Sequence, residues 1–127
     1  MNKYLAVSSF LGAITIVLGA FGAHALKSAL TQDQLLSFET AVRYQMYHVI
    51  VLLFVNIYNG FTEHQQKWIN GFFITGILLF SGSIYAITFG VPAKAIWFIT
   101  PLGGILLILG WIYMGQSFLS SKKKINK

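Results

Sequence analysis

The residues most able to do chemistry in this sequence form one polar band, residues 38–48, at the start of an apolar stretch. Glu39 and Arg43 are four residues apart, as are Tyr44 and His48, so each pair shares one face of a helix. Ionisable groups inside a membrane indicate a functional site, because they are costly unless paired. If the chain crosses a membrane, some residues of other helices should lie at the same depth in the bilayer as this band. Together they predict one polar pocket in the outer half of the membrane, lined by His24, Glu39, Arg43, Tyr44, Tyr47, His48, Tyr85 and Thr100.

A structural interpretation of the same band competes with the functional one. Near a helix end, Arg43 can pair with Glu39 and extend to lipid phosphates. Tyr44 and Tyr47 suit an aromatic belt at the membrane surface. His48 suits a hydrogen bond between helices. The residue types alone leave both interpretations open.

Catalytic templates fit the sequence poorly. Asp33 and Glu39 are six residues apart and lie on different faces of one helix, which argues against a paired-carboxylate site. No serine lies in a nucleophile elbow, and the absence of cysteine excludes thiol chemistry and Cys-ligated metals. A haem held axially by His24 and His48 is an alternative that no spacing selects. We therefore expect no enzyme, no metal site and no cofactor.

The composition decides the class of protein that must position this band. Apolar residues make up 56% of the chain and charged residues 9%, whereas soluble domains carry about 25% charge. Charged residues bound four neutral runs, 4–26, 44–62, 68–93 and 95–121, each close to or longer than the roughly 20 residues that cross a bilayer as a helix. We expect an all-α, four-helix transmembrane bundle in one domain, residues 1–121. Its spans lie near 4–23, 42–60, 69–89 and 96–117, and a basic tail follows at 122–127.

The distribution of basic residues predicts the orientation of the bundle. Lys3, Lys67 and the four lysines of the tail would lie on one side, against Lys27, Arg43 and Lys94 on the other. The positive-inside rule then places both termini in the cytoplasm. The tail suits a topology signal that attracts anionic lipid, so we expect no nucleic acid as a partner.

Small residues and one proline predict how the helices pack. Small side chains at helical spacing let transmembrane helices approach closely, within one chain or between two copies. Pro101, followed by two glycines, predicts a kink or break near residues 97–104. Thr31 and Gln34 form a capping box that predicts a long second helix, starting in the outer interface and extending to Asn59. The residues expected at packing seams are Ser8, Gly12, Thr15, Gly19, Gly22, Gly103, Gly104 and Gly110.

Several ordered motifs resemble a known family. They are Gly19-Ala-Phe-Gly-Ala-His24-Ala-Leu-Lys27, Phe38-Glu-Thr-Ala-Val-Arg-Tyr-Gln-Met-Tyr-His48, Gly82-Ser-Ile-Tyr85, Ile99-Thr-Pro-Leu-Gly-Gly104 and Gly110-Trp111. Together they resemble the YgdD/YwdK-like family of small bacterial inner-membrane proteins, a domain-of-unknown-function family with a small eukaryotic transmembrane relative. The resemblance implies a multi-pass membrane protein without an assigned activity, and it supplies no catalytic residues.

The functional expectation follows from these features. We expect a non-enzymatic integral membrane protein that binds a lipid or a partner helix through the outer-leaflet pocket. The expected partners are membrane lipids, with a second copy of the chain or another membrane protein as further options. The alternative is a small transporter or channel for a proton or small solute, favoured by the Glu39–Arg43–His48 band and by the kink at Pro101.

Overall fold

A computed structural model describes the backbone of residues 2–125 and the side chains of residues 3–120. It contains four long helices, α1 (Asn2–His24), α2 (Gln32–Ile57), α3 (Glu63–Thr88) and α5 (Ile99–Ile125), and one short helix, α4 (Ala93–Ile96). All four long helices contain segments that are long and apolar enough to cross a membrane. The predicted all-α, four-helix transmembrane bundle is therefore confirmed.

The long helices pack in the order α1–α2–α3–α5, and each runs antiparallel to the next. The contact between α3 and α5 is the most extensive, and α1 contacts mainly α2. Consequently both chain ends and the α2–α3 loop lie at one end of the bundle, which we call the terminal end. The α1–α2 and α3–α5 connections lie at the other, the connecting end. Because α1 and α5 flank the array, α2 and α3 form its centre.

Two capping boxes fix where α2 and α3 begin. The Thr31 hydroxyl accepts from the Gln34 amide and the Gln34 side chain accepts from the Thr31 amide, as the sequence predicts. Thr62 and Gln65 repeat this arrangement at α3, where the sequence analysis overlooked it. Each box satisfies backbone N–H groups that a helix start leaves unpaired. Hence α2 and α3 begin well before the predicted span starts at 42 and 69.

The fourth span is interrupted before its proline. The chain leaves α4 after Ile96, turns at residues 97 and 98, and enters α5 at Ile99. Pro101 is the third residue of α5, where a backbone N–H has no intrahelical partner to lose. The helix is therefore broken within the predicted region 97–104, at residues 97 and 98, and the proline itself lies in the first turn of α5. At its other end α5 extends to Ile125, so the helix includes the first residues of the predicted basic tail, 122–127. Residues 126 and 127 of that tail lie outside the described residues.

The small residues of α1 face α2 of the same chain. A Cβ atom added at Gly12 or Gly19 would contact valine side chains of α2 at 3.4 Å, and one at Gly22 would come within 2.6 Å of Phe38. Ser8 and Thr15 are buried on the same seam, and each hydroxyl donates to a carbonyl of its own helix. This seam therefore packs within the chain.

The glycines of α5 divide between two surfaces. Gly103 lies directly on the backbone of α3, where an added Cβ would collide with Phe80, and Gly110 lies under the Phe73 ring. Both permit the close approach of α5 to α3. Gly104 points elsewhere, since the nearest atom to its added Cβ is a Phe80 ring carbon at 3.8 Å.

The apolar core fills the terminal half of the bundle between α2, α3 and α5. Its members are the buried residues Leu52, Val55, Phe61, Ile69, Phe73, Ile77, Leu107 and Met114. Polar contacts between helices occur toward both ends, and the candidate site borders this core near the middle of the bundle, since Leu107 belongs to both.

Candidate functional site

The structure divides the predicted polar pocket among different surfaces. His24 is exposed at the end of α1, and Glu39 and Arg43 are exposed on α2. Arg43 Nη2 donates to the Thr40 hydroxyl at 3.2 Å, so the arginine turns to Thr40 rather than to the predicted partner Glu39. Glu39 and Arg43 instead border a small recess of about 160 Å³ beside Gly19 and Gly22. These three ionisable groups are thus separated from His48.

Tyr85 is engaged in a connection between helices. Its hydroxyl donates to Gln45 Oε1 at 2.6 Å, and Gln45 Nε2 donates to the Leu11 carbonyl at 3.4 Å. Gln45 is buried and thereby joins α1, α2 and α3. The sequence analysis missed it, although an amide in the middle of an apolar run is a usable signal, because a buried amide must find partners.

Hydroxyl groups supply two further connections near the connecting end. Thr100 forms a short hydrogen bond with Ser83, which joins α5 to α3. The Ser81 hydroxyl donates to the Ala41 carbonyl at 2.8 Å, which joins α3 to α2. Thr100, like Tyr85, is therefore occupied within the bundle. The sequence analysis did not identify the serines, whose type is common in transmembrane helices for packing reasons alone.

His48 joins α2 to α5 through one of its ring nitrogens. Its Nδ1 lies 2.6 Å from the Tyr44 carbonyl, and the Trp111 indole N–H donates to its Nε2 at 3.0 Å. An indole only donates and a carbonyl only accepts, so Nε2 must hold a lone pair and Nδ1 the proton. The imidazole is therefore neutral in this arrangement, and both ring nitrogens are occupied.

A groove of about 730 Å³ opens beside this contact, between α2 and α5. Phe80 of α3 forms part of its wall, and Tyr44 stacks on that ring with a centroid distance of 5.1 Å. The groove follows α2 from Tyr44 to Val51, roughly 10 Å at 1.5 Å per residue. Its lining carries no formally charged residue and consists of Tyr44, Tyr47, His48, Ile50, Val51, Phe80, Gly104, Leu107, Ile108 and Trp111.

The chemistry available in this α2–α5 groove is contact with apolar groups. His48 has both ring nitrogens occupied, and no carboxylate or amine reaches the lining. The two tyrosines are about half exposed. Within the described side chains, no group of three His, Cys, Asp or Glu residues is placed to hold a metal ion. The arrangement suits binding of a hydrocarbon group.

A further polar contact that was not predicted from the sequence lies in the terminal half. The side chains of Asn56 and Asn70 are fully buried and exchange two hydrogen bonds, of 2.7 and 2.9 Å. Each amide also donates to a carbonyl of its own helix. As with Gln45, a carboxamide side chain within an apolar span was the sequence feature that could have indicated a buried hydrogen bond. The pair is satisfied and has no atom left to act on a ligand, so its function is structural.

The fold and this groove define a small polytopic α-helical membrane protein. The family model described as "Protein of unknown function (DUF423)" matches residues 18–104, so the chain belongs to that family. A UPF0382 membrane protein of Haemophilus influenzae is 38% identical over 126 residues, covering 95% of this chain and 97% of that protein. A UPF0382 membrane protein of Staphylococcus aureus (strain bovine RF122) is 34% identical over 114 residues, covering 90% and 93%. No solved structure matches the chain.

Proposed function

We propose that this protein is a non-enzymatic protein of the cell (inner) membrane that binds a lipid, with a hydrocarbon chain held in the α2–α5 groove. The observation that carries the proposal is the groove itself, an apolar recess of about 730 Å³ without formal charge. The two lining side chains that contain nitrogen, His48 and Trp111, are hydrogen-bonded to each other and do not need a polar ligand. We further propose that the terminal end of the bundle faces the cytoplasm, so that both termini lie there.

A flexible chain suits this groove better than a partner helix does. Transmembrane helices dock where small residues let their backbones approach. The groove presents bulky rings, including Tyr47, Phe80 and Trp111, and Gly104 is the single glycine in its lining. The seam glycines of α1, together with Gly103 and Gly110, are already covered by neighbouring helices of the same chain. A groove of bulky apolar and aromatic side chains suits a flexible acyl chain better than a helix.

The transporter alternative receives less support from the geometry. A proton or ion route would need His48 and the charged groups of α2 to face one cavity. Glu39 and Arg43 border a different recess, and His48 holds its proton against a backbone carbonyl. The interruption before Pro101 lies at the start of α5, whereas broken helices in transporters place their break near the midplane.

The proposal is tested by filling the groove. Gly104→Leu places a side chain into open space in the lining, since the nearest atom to an added Cβ there is 3.8 Å away. Gly71→Leu is the matched control, because Gly71 has no atom within 4 Å and does not line the groove. The measurement is native mass spectrometry of each protein after gentle extraction from its membrane.

We expect wild type and Gly71→Leu to retain a bound lipid that Gly104→Leu loses. The thermal unfolding midpoint of each variant in detergent checks that the fold is preserved. The same lipid occupancy in all three proteins would overturn the groove as the lipid site. Retention of another membrane protein in place of lipid, lost with Gly104→Leu, would replace the lipid by a partner helix.

A further inference from the structure

A second recess, of different chemistry, lies at the terminal end of the bundle. Its volume is about 540 Å³, and it is enclosed by the start of α1, the α2–α3 loop and the first turns of α3. Polar side chains contribute about as much of its surface as apolar groups do, in contrast to the almost wholly apolar α2–α5 groove. Two of them are the lysines Lys3 and Lys67, which lie 64 positions apart in the sequence and meet only in the fold.

The side chains around this terminal recess are held by contacts within the protein. The Lys3 ammonium lies 5.2 Å from the centroid of the Tyr4 ring, within the range of a cation–π contact. Gln66 Nε2 donates to the Val55 carbonyl at 3.1 Å, which fixes the amide against the end of α2. Phe61, which also lines the recess, is buried and packs edge-to-face on Tyr58.

The charges of the terminal recess favour an anion. Lys3 and Lys67 contribute two positive charges and Glu63 one negative charge, so the formal sum is +1. Asn59 and Gln66 add amide groups that can donate hydrogen bonds. Ammonium groups form short, charge-assisted hydrogen bonds with phosphate oxygens, and two lysines line this recess.

The position of the terminal recess in the bundle favours a lipid headgroup as the source of such a phosphate group. Lys3 is in the first turn of α1 and Lys67 in the second turn of α3, at the ends of two helices long enough to cross the bilayer. Side chains at such positions lie at the level of the lipid headgroups. Positive side chains at this level attract anionic lipids, which enrich the cytoplasmic surface where we predict this end to lie.

We propose that the terminal recess binds the phosphate group of an anionic phospholipid. This site is separate from the α2–α5 groove, because the two share no lining residue and their contributions from α3 come from opposite halves of that helix. The Lys3 and Lys67 ammonium groups hold the phosphate, and Asn59 lies beside it. Glu63 opposes the anion and limits how much net negative charge the site accepts.

The test measures binding of short-chain phosphatidylglycerol to the full chain in detergent, by native mass spectrometry titration. Lys3→Gln and Lys67→Gln each remove one charge, and we expect each to weaken binding about fivefold, with a larger loss in the double variant. Glu63→Gln should tighten binding, because it removes the opposing charge. Phosphatidylcholine of the same chain length should bind more weakly than phosphatidylglycerol.

Lys27→Gln and Lys94→Gln are matched controls, since both lysines are exposed and lie at the connecting end. Unchanged affinity in these controls supports a local site. Equal affinity of wild type and the double variant, or an equal loss in the controls, would overturn the proposal. Glycerol phosphate separates the sources of phosphate: if it binds as tightly as the lipid, the site takes a soluble phosphate ester and the lipid assignment fails.

The two proposals can fail separately. Gly104→Leu leaves Lys3 and Lys67 unchanged and should not alter phosphatidylglycerol binding at the terminal recess. The lysine variants leave the α2–α5 groove unchanged and should not alter the lipid retained there. A lipid lost in both sets of variants would show one extended site and overturn the claim of independence.

Discussion

The Trp111 indole donates to His48 Nε2 at 3.0 Å and so joins α5 to α2 beside the groove. The two helices otherwise meet through few residues, since α5 packs chiefly on α3. The rings also make an edge-to-face contact, with centroids 5.9 Å apart. Phe73 lies against both rings, so the pair is held from the α3 side as well. This bond therefore helps to set the width of the groove.

Trp111→Phe should destabilise the protein, because it removes the N–H donor and leaves the buried His48 Nε2 unpaired. Hydrogen bonds between transmembrane helices contribute about 0.6–2 kcal/mol, and we expect a loss in that range. The measurement is the free energy of unfolding in detergent. Trp97→Phe is the matched control, since Trp97 is 69% exposed and should tolerate the same change. Equal stability of Trp111→Phe and wild type would contradict the assigned bond.

The Asn56–Asn70 pair predicts strong coupling between two substitutions. Asn56→Leu alone, or Asn70→Leu alone, leaves one buried amide without its partner and should cost about 1–3 kcal/mol of unfolding free energy. The double variant removes both amides together, so it should cost clearly less than the two single losses combined. A double-mutant cycle in detergent measures the difference. Additive losses would show that the two amides do not act as a pair.

Composition and the spacing of charges were sufficient to predict the four spans and the all-α fold. Long neutral runs must form helices in a bilayer, whatever their detailed sequence. The start of α2 was predictable for the same kind of reason, because a capping box is a local pattern. The start of α3 had an identical pattern at Thr62 and Gln65, so that omission was avoidable.

The residues that line the candidate site were less predictable from the sequence than the helices were. Helical spacing placed Glu39, Arg43 and His48 near one another along α2, but it did not decide which neighbour each would face. That depends on the rotation of each helix, which packing against α1 and α3 determines. Trp111 appeared in the sequence as one residue of a family motif, and only the register of α5 against α2 brings it to His48. Contacts between distant segments leave no local signal.

Glu39→Gln should leave stability nearly unchanged. The structure directs Arg43 to Thr40, and Glu39 is exposed, so the substitution breaks no buried ion pair. Substitutions at exposed positions without such partners usually change the free energy of unfolding by no more than about 0.5 kcal/mol. The thermal unfolding of Glu39→Gln and wild type in detergent tests this directly. A loss above 1 kcal/mol would restore the buried Glu39–Arg43 pair that the sequence suggested.

Gly103 and Gly115 lie on the same helix and predict opposite outcomes for the same substitution. An added Cβ at Gly103 would collide with the backbone of Phe80, which cannot move without displacing α3. Gly103→Ala should therefore destabilise the bundle by about 1–3 kcal/mol, the usual cost of overpacking.

Gly115 has no atom within 4 Å of an added Cβ, so Gly115→Ala meets open space. Since alanine favours a helix over glycine by up to about 1 kcal/mol, this variant should be as stable as wild type or more stable. Unfolding free energies of both variants in the same detergent decide the matter. If Gly103→Ala were as stable as Gly115→Ala, α5 could not pack on α3 through Gly103, and the placement of Thr100 beside Ser83 would also be wrong.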